Sequence, residues 1–235
     1  MFKIVIVVDA LITETAKTPT KLMVDATSKA IAASPIALHS PTAVTVEVIT
    51  SDLVESLSLK TQDIIWCPLT LDVPETLEFP GKAIFQACNQ VTSLRGRVQQ
   101  IGYPTADSHQ CQSDLYLPVV LTAKGPLYGE VIGKGKTNQV YQQPVNLPDK
   151  QRQPLYHLAY ELLQSLLAPP AVYLLQFAFQ DESIIFDRLL PFPAEAAIAS
   201  LGIQEPDLFT CHWLCLTEQP IFDLTIIAKS DKEEK

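Results

Sequence analysis

Glycine is scarce in this chain: 8 of 235 residues, about half the usual share of roughly 7%. Few positions can therefore take a left-handed backbone or bring main-chain amides close to a ligand. A Walker phosphate loop is excluded, because the pattern G-x-x-x-x-G-K-[ST] does not occur. Positive charge is also short, with 17 Lys and Arg against 26 Asp and Glu, a net charge of −9 and a pI of about 4.9. Nucleic acid is a poor partner for such a chain, since binding it needs a basic footprint that displaces counterions. An anionic membrane surface is excluded on the same ground. No apolar run approaches the roughly 20 residues that span a bilayer. The short run Ile4 to Val8 has no cleavage-like site after it, so it does not read as a secretory signal and a cytoplasmic location is expected. No internal repeat is present.

Five cysteines, Cys67, Cys88, Cys111, Cys211 and Cys215, make an odd, scattered set, which fits reduced, packed thiols better than a disulfide framework. Cys211, His212 and Cys215 lack the second cluster of ligands that zinc needs. His39, His109, His157 and His212 are isolated, and no serine sits in a G-x-S-x-G elbow. A pairing of Cys111 with His109 or His157 depends on folding and stays open. His212, beside Trp213, is expected to be a packed, hydrogen-bonded histidine.

What is present is a globular composition, 47% apolar and 18% charged, in a chain long enough for one domain or two small ones. Phe2 to Val8 reads as the first strand of an α/β unit and ends in Asp9. A carboxylate there lies where parallel sheets bind ligands, although a turn or cap role is the commoner one. A helix ending at Ser34-Pro35, a strand from Ala43 to Ile49, a short helix from Ser51 to Leu57 and a strand from Asp63 to Cys67, stopped by Pro68, complete a three-layer α/β pattern. Pro68 to Pro80 reads as loop, Lys82 to Gly102 as helix in one or two pieces, and Leu117 to Ala123 as a strand. Asn138 to Gln153 reads as loop, and Leu155 to Leu166 as a helix with one buried stripe. Ala171 to Phe179 and Ile184 to Leu190 form a hairpin through Asp181-Glu182-Ser183. A short Ala-rich helix follows the prolines 191 and 193, and Pro206 and Asp207 are expected in the first turn of a last helix. Ile221 to Ala228 reads as a final strand, and 229–235 as a charged flexible tail. Phe209, Trp213 and Phe222 suit a core or a homodimer contact, with core the default.

Half of the glycines lie between Lys124 and Lys136, at Gly125, Gly129, Gly133 and Gly135. Glycine amides with mobile lysines such as Lys124 and Lys134 can hold phosphate. The plainer reading is a hairpin with solvated lysines.

Gly102-Tyr103-Pro104-Thr105, then Leu117-Pro118-Val119-Val120-Leu121, then the glycine segment, then the hairpin from Ala171, then Leu208 to Trp213 and Gln219-Pro220-Ile221 form an ordered series. Their order resembles the ATP-grasp superfamily, and within it the carboxyaminoimidazole ribonucleotide synthetase branch of purine biosynthesis. The resemblance implies an α/β fold: an N-terminal three-layer nucleotide-fold-like unit, 1–110, followed by a reduced ATP-grasp-like α+β domain, 111–228. It assigns Lys124, Gly129, Gly133 and Lys134 to phosphate binding, and Gln176 and Asp187 to the metal positions of the hairpin. Thr122 stands where the family has its phosphate lysine, with Lys124 as a substitute on the same face. Gln176 replaces a metal carboxylate, and Pro191-Phe192 replaces a proline-arginine pair. Magnesium prefers anionic oxygens in strict octahedral geometry, so an amide at one of two carboxylate positions weakens it. Between Lys136 and Leu155 there is too little chain for the family's lid and adenine contacts.

These departures imply a degenerate, non-catalytic relative that keeps the scaffold to bind a small molecule or a protein, without a cofactor. One alternative is an active ATP- and magnesium-dependent carboxylate–amine ligase working through an acyl phosphate. A second is a structural or assembly α/β protein unrelated to ATP-grasp. Tyr128, Tyr141 or Phe192 filling the space between glycine segment and hairpin would favour loss of function.

Overall fold

The computed structural model describes residues 3–9, 18–34, 45–54, 64–106, 114–135 and 140–227. Cys111, His39, His109 and the tail 229–235 lie outside these residues. The N-terminal part is a parallel three-stranded sheet with β1 (Lys3–Val8) between β2 (Thr45–Thr50) and β3 (Ile64–Pro68). All of Ile4 to Val8 is buried, as expected of a parallel strand covered on both faces. Alternation decides which core each residue enters. Ile4, Ile6 and Val8 join the main core, whereas Val5 and Val7 pack with Ile49, Val54 and Leu77. Pro68 does not stop β3 before the sheet, as its missing N–H suggested. It is the last paired residue, opposite Val7, on an edge strand that needs no donor on its open side.

Helix α1 (Pro19–Ala33) is opened by Thr18, whose hydroxyl accepts from the N–H of Lys21, with proline at its first position. Helix α2 (Ser51–Val54) is one turn. The stretch 82–101 is two helices, α3 (Lys82–Asn89) and α4 (Val91–Ile101), broken at Gln90 and closed by Gly102 at φ 103°.

The second sheet has six strands in the order β7-β6-β4-β8-β9, with β5 also paired to β4, and every pairing is antiparallel. Its members are β4 (Leu115–Thr122), β5 (Gly125–Tyr128), β6 (Val131–Lys134), β7 (Tyr141–Val145), β8 (Ala171–Gln180) and β9 (Ser183–Leu190). Pro118 sits inside the central strand β4, which its missing donor should forbid. The sheet accommodates it by a break. β5 ends and β6 begins opposite Pro118, and Gly129 in the gap donates its N–H to the Pro118 carbonyl at 2.9 Å.

Three expectations are corrected here. Residues 138–153 are not all loop: they hold β7 and the start of α5 (Asp149–Ser165). β7, reading Tyr-Gln-Gln-Pro-Val, lacks an apolar pattern but forms as an edge strand that tolerates Pro144. Pro206 and Asp207 are not in the first turn of the last helix, α6 (Leu208–Leu216). Asp207 is its cap, accepting from the N–H groups of Phe209 and Thr210 at 2.9 and 3.0 Å. The last strand shrinks to β11 (Thr225–Ile226), paired with β10 (Gln204–Glu205). The Ala-rich segment is a 3-10 helix, Glu195–Ser200.

Helices α3 and α4 lie against β9, while α6 lies against β8, β4 and α1. Ile4, Ile6 and Val8 share one apolar cluster with Val119, Tyr173 and Trp213, so the two sheets pack on a common core. Phe209 and Trp213 are buried in it, and Phe222 is 82% exposed.

Candidate functional site

Lys124 occupies the tight turn between β4 and β5. Its backbone N–H donates to the Thr122 hydroxyl, and its ammonium lies 6.0 Å from the centre of the Phe222 ring. Gly129 is held against Pro118, where a Cβ would come within 3.1 Å of the proline Cβ. Gly133 pairs in the ladder between Leu115 and Gln142, where a Cβ would meet Val145 Cγ2 at 2.8 Å. Lys134 donates its backbone N–H to Asp114 and places its ammonium 5.6 Å from the Tyr141 ring centre. These glycines make room for neighbouring strands. Gly129's amide is already spent on Pro118, and the segment is a strand pair rather than a cradle of free donors.

Gln176 and Asp187 do share the β8–β9 hairpin, but they face different partners. Gln176 lies opposite Arg188 on one side and Tyr116 on the other. Asp187 is the extra residue at a bulge between the pairs Gln176–Arg188 and Phe177–Phe186. There it is buried, and its carboxylate is ion-paired with Arg95 of α4, whose Nε also donates to the Asp187 carbonyl at 3.0 Å. Thr122, at the Lys124 end of β4, is six residues from Tyr116, about 20 Å along a strand. Lys124 is thus far from both metal positions. Among the described residues no group of three His, Cys, Asp or Glu could hold a metal. This donor set does not fit a magnesium-bound nucleotide: its single carboxylate is already neutralised by a guanidinium.

Tyr128, Tyr141 and Phe192 are each paired with another ring. Tyr128 stacks on Tyr156 at 4.2 Å, Tyr141 meets Tyr116 edge-on at 5.6 Å, and Phe192 stacks on Phe85 at 5.9 Å. Burial and the Tyr141 hydrogen bond push the Tyr116 hydroxyl well above its ordinary pKa. The thiols are equally quiet, with burial pushing Cys67, Cys88 and Cys215 up to about 12 and Cys211 also upward. They are packed rather than reactive.

An opening of about 480 Å³ lies elsewhere, at the C-terminal ends of β1 and β3. That is within the roughly 300–1,000 Å³ of small-molecule sites. Asp9 follows β1, Thr70 and Asp72 follow β3, Thr20 lies in the first turn of α1, Asn89 closes α3, and Glu195 starts the 3-10 helix. The Thr70 hydroxyl donates to Asp9 and accepts from the Asp72 N–H at 2.9 Å, while Ser51 donates to Asp72 at 3.0 Å. Both carboxylates are thereby fixed yet exposed. No Lys, Arg or His is among the described residues that line this cleft. Of the set, sequence reasoning singled out only Asp9 and favoured a turn or cap role. The rule that ligands sit beyond parallel strand ends pointed equally to Thr70 and Asp72.

His212 of α6 is packed as expected, its Nδ1 accepting from the Val172 N–H at 3.2 Å. That bond leaves the proton on Nε2. Nε2 is buried without a partner, which costs about 1–3 kcal/mol for such a donor. Burial lowers the His212 pKa to about 3.

The fold so assembled, a parallel α/β unit packed on an antiparallel sheet with helices, is that of ATP-grasp proteins. It matches N5-carboxyaminoimidazole ribonucleotide synthetase from Thermus thermophilus with TM-score 0.68 and 12% identity, over 94% of this chain and 79% of that one. Glycinamide-RNase-transformylase T from Mycobacterium tuberculosis matches with TM-score 0.64 and 15% identity, over 93% and 82% of the two chains. N5-carboxyaminoimidazole synthetase from Staphylococcus aureus complexed with ADP matches with TM-score 0.67 and 10% identity, over 96% and 80%. No protein-family model and no curated protein sequence matches the chain. At this identity the matches speak for the fold alone.

Proposed function

We propose that this chain is a small-ligand-binding protein built on the ATP-grasp scaffold, and that it does not drive ligation with a nucleotide. The observation that carries this reading is the Arg95–Asp187 ion pair. It ties the one carboxylate of the hairpin's metal positions to a neighbouring helix, while Gln176 supplies no charge at the other. The Gly129 amide bonded to Pro118 and the stacked Tyr128–Tyr156 pair support it from the phosphate side.

The ligand enters the cleft at the ends of β1 and β3. Asp9, Asp72 and Glu195 favour a compound rich in hydrogen-bond donors or carrying positive charge, and the hydroxyls of Thr20 and Thr70 add polar contacts. An acidic lining repels phosphate, so a nucleotide is a poor occupant.

The ADP-bound Staphylococcus relative keeps one competitor in view: an ATP-dependent ligase using Lys124, Lys134 and Asp187. Thermal unfolding with and without ATP and magnesium separates the two. A ligand at a hundredfold excess over its Kd adds about 2.7 kcal/mol. No nucleotide-dependent gain is expected here. A gain of that size, abolished by Lys124→Ala, overturns the binding-protein reading in favour of the ligase.

A further inference from the structure

The acidic cleft does not end at Asn89. A second opening, of about 400 Å³, shares Leu71 and Asn89 with it, and the stacked rings of Phe192 and Phe85 line one opening each. Together they form one trench, whose second arm runs between α3 and the segment 71–79. Lys82, Gln86, Asn89 and Gln90 line that arm at three- and four-residue spacing, as one stripe down α3 and its C-terminal cap. Gln86, Asn89 and Gln90 are exposed, and their carboxamides bond to none of the described residues.

A carboxamide offers both donors and acceptors, which complements a peptide group with one of each. From Lys82 to Gln90 the stripe is about 12 Å long, enough for three or four residues of extended chain at roughly 3.4 Å each. Lys82 adds no free charge, being paired with Glu78 at 2.6 Å, while the exposed Glu75 extends the negative lining. In the first arm Thr70 and Ser51 each occupy one carboxylate oxygen, of Asp9 and Asp72 respectively. The other oxygen of each is left for a donor. Met23, Leu69 and Phe192 give an aliphatic stem an apolar wall to lie on. A guanidinium presents its donors in a planar fork that can serve two carboxylates at once. We infer, on the reading of the acidic cleft as the ligand site, that its ligand is a short extended peptide containing arginine. The guanidinium enters the acidic arm, and the peptide backbone lies along the carboxamides of α3.

Calorimetric titration with three probes tests this: a blocked alanine heptapeptide with arginine at its centre, the same peptide with citrulline there, and N-acetylarginine amide. The arginine peptide is expected to bind about tenfold more tightly than N-acetylarginine amide, as one net hydrogen bond allows. Citrulline keeps the shape without the charge and should lower affinity by about tenfold or more. Gln86→Ala combined with Gln90→Ala, both at exposed positions, should bring the arginine peptide down to the level of N-acetylarginine amide. Equal affinity of these two in the unmodified protein overturns the extended ligand alone and leaves a single small compound in the cleft. A peptide advantage that survives the double substitution, or a citrulline peptide that binds as well, overturns it too. No binding of either arginine compound overturns both the peptide and the reading of the acidic cleft.

Discussion

The two sheets treat their polar residues in opposite ways. At the C-terminal edge of the parallel sheet, Asp9 and Asp72 are fixed by hydroxyls and left open to solvent in a large cleft. In the antiparallel sheet the polar groups at the positions of interest are consumed by the fold: Asp187 by Arg95, the Gly129 amide by Pro118, Tyr116 by Tyr141. A carboxylate kept exposed at some cost in repulsion is available for a ligand. One buried against a guanidinium is a structural part, and removing it strands its partner.

That contrast can be broken most forcefully at Asp187. Asp187→Ala leaves Arg95 without its counter-charge, and both side chains are less than one fifth exposed. Denaturant unfolding should show a loss of about 3 kcal/mol. Were Asp187 a mere metal ligand, the loss would be near zero. Gly133→Ala comes next, because the added methyl would sit 2.8 Å from Val145 and 3.2 Å from Leu115. Overpacking of that kind costs about 2 kcal/mol, and a phosphate-cradle glycine would instead spare stability.

The buried His212 gives a pH signature. Its folded pKa is lowered to about 3 from 6.5, so the unfolded chain takes up the proton first. Stability from this group is fully present above about pH 6.5 and is lost as pH falls toward 3, at a rate approaching about 1.4 kcal/mol per pH unit. His212→Phe should flatten that part of the pH profile, as read by denaturant midpoints at pH 7, 6 and 5. The smallest effect belongs to the open edge. Glu195→Gln, at an exposed position of the acidic cleft, should change stability by no more than about 0.5 kcal/mol. A larger loss would make that edge structural too and erase the difference between the sheets.

Much of the fold was legible because apolar periodicity is a local signal. The uninterrupted run Ile4 to Val8, the stripe from Leu155 and the hairpin from Ala171 all formed where their patterns placed them. β7 escaped because an edge strand of Tyr, Gln and Pro carries no such pattern; its place is fixed by pairing with β6. The candidate site was harder to read for the same reason. Asp187 aligns with a metal carboxylate along the chain, and only folding brings it to Arg95, 92 residues earlier. Likewise Asp9 and Thr70 are 61 residues apart and meet only when β1 and β3 pair.

The central claim is that Asp187 serves the fold rather than a nucleotide. The most direct measurement is the unfolding free energy of the unmodified chain and of Asp187→Ala, each with and without ATP and magnesium. The expected result is a loss of about 3 kcal/mol on substitution and no dependence on nucleotide in either protein. A near-neutral substitution, together with a nucleotide-dependent gain that disappears in Asp187→Ala, would contradict it.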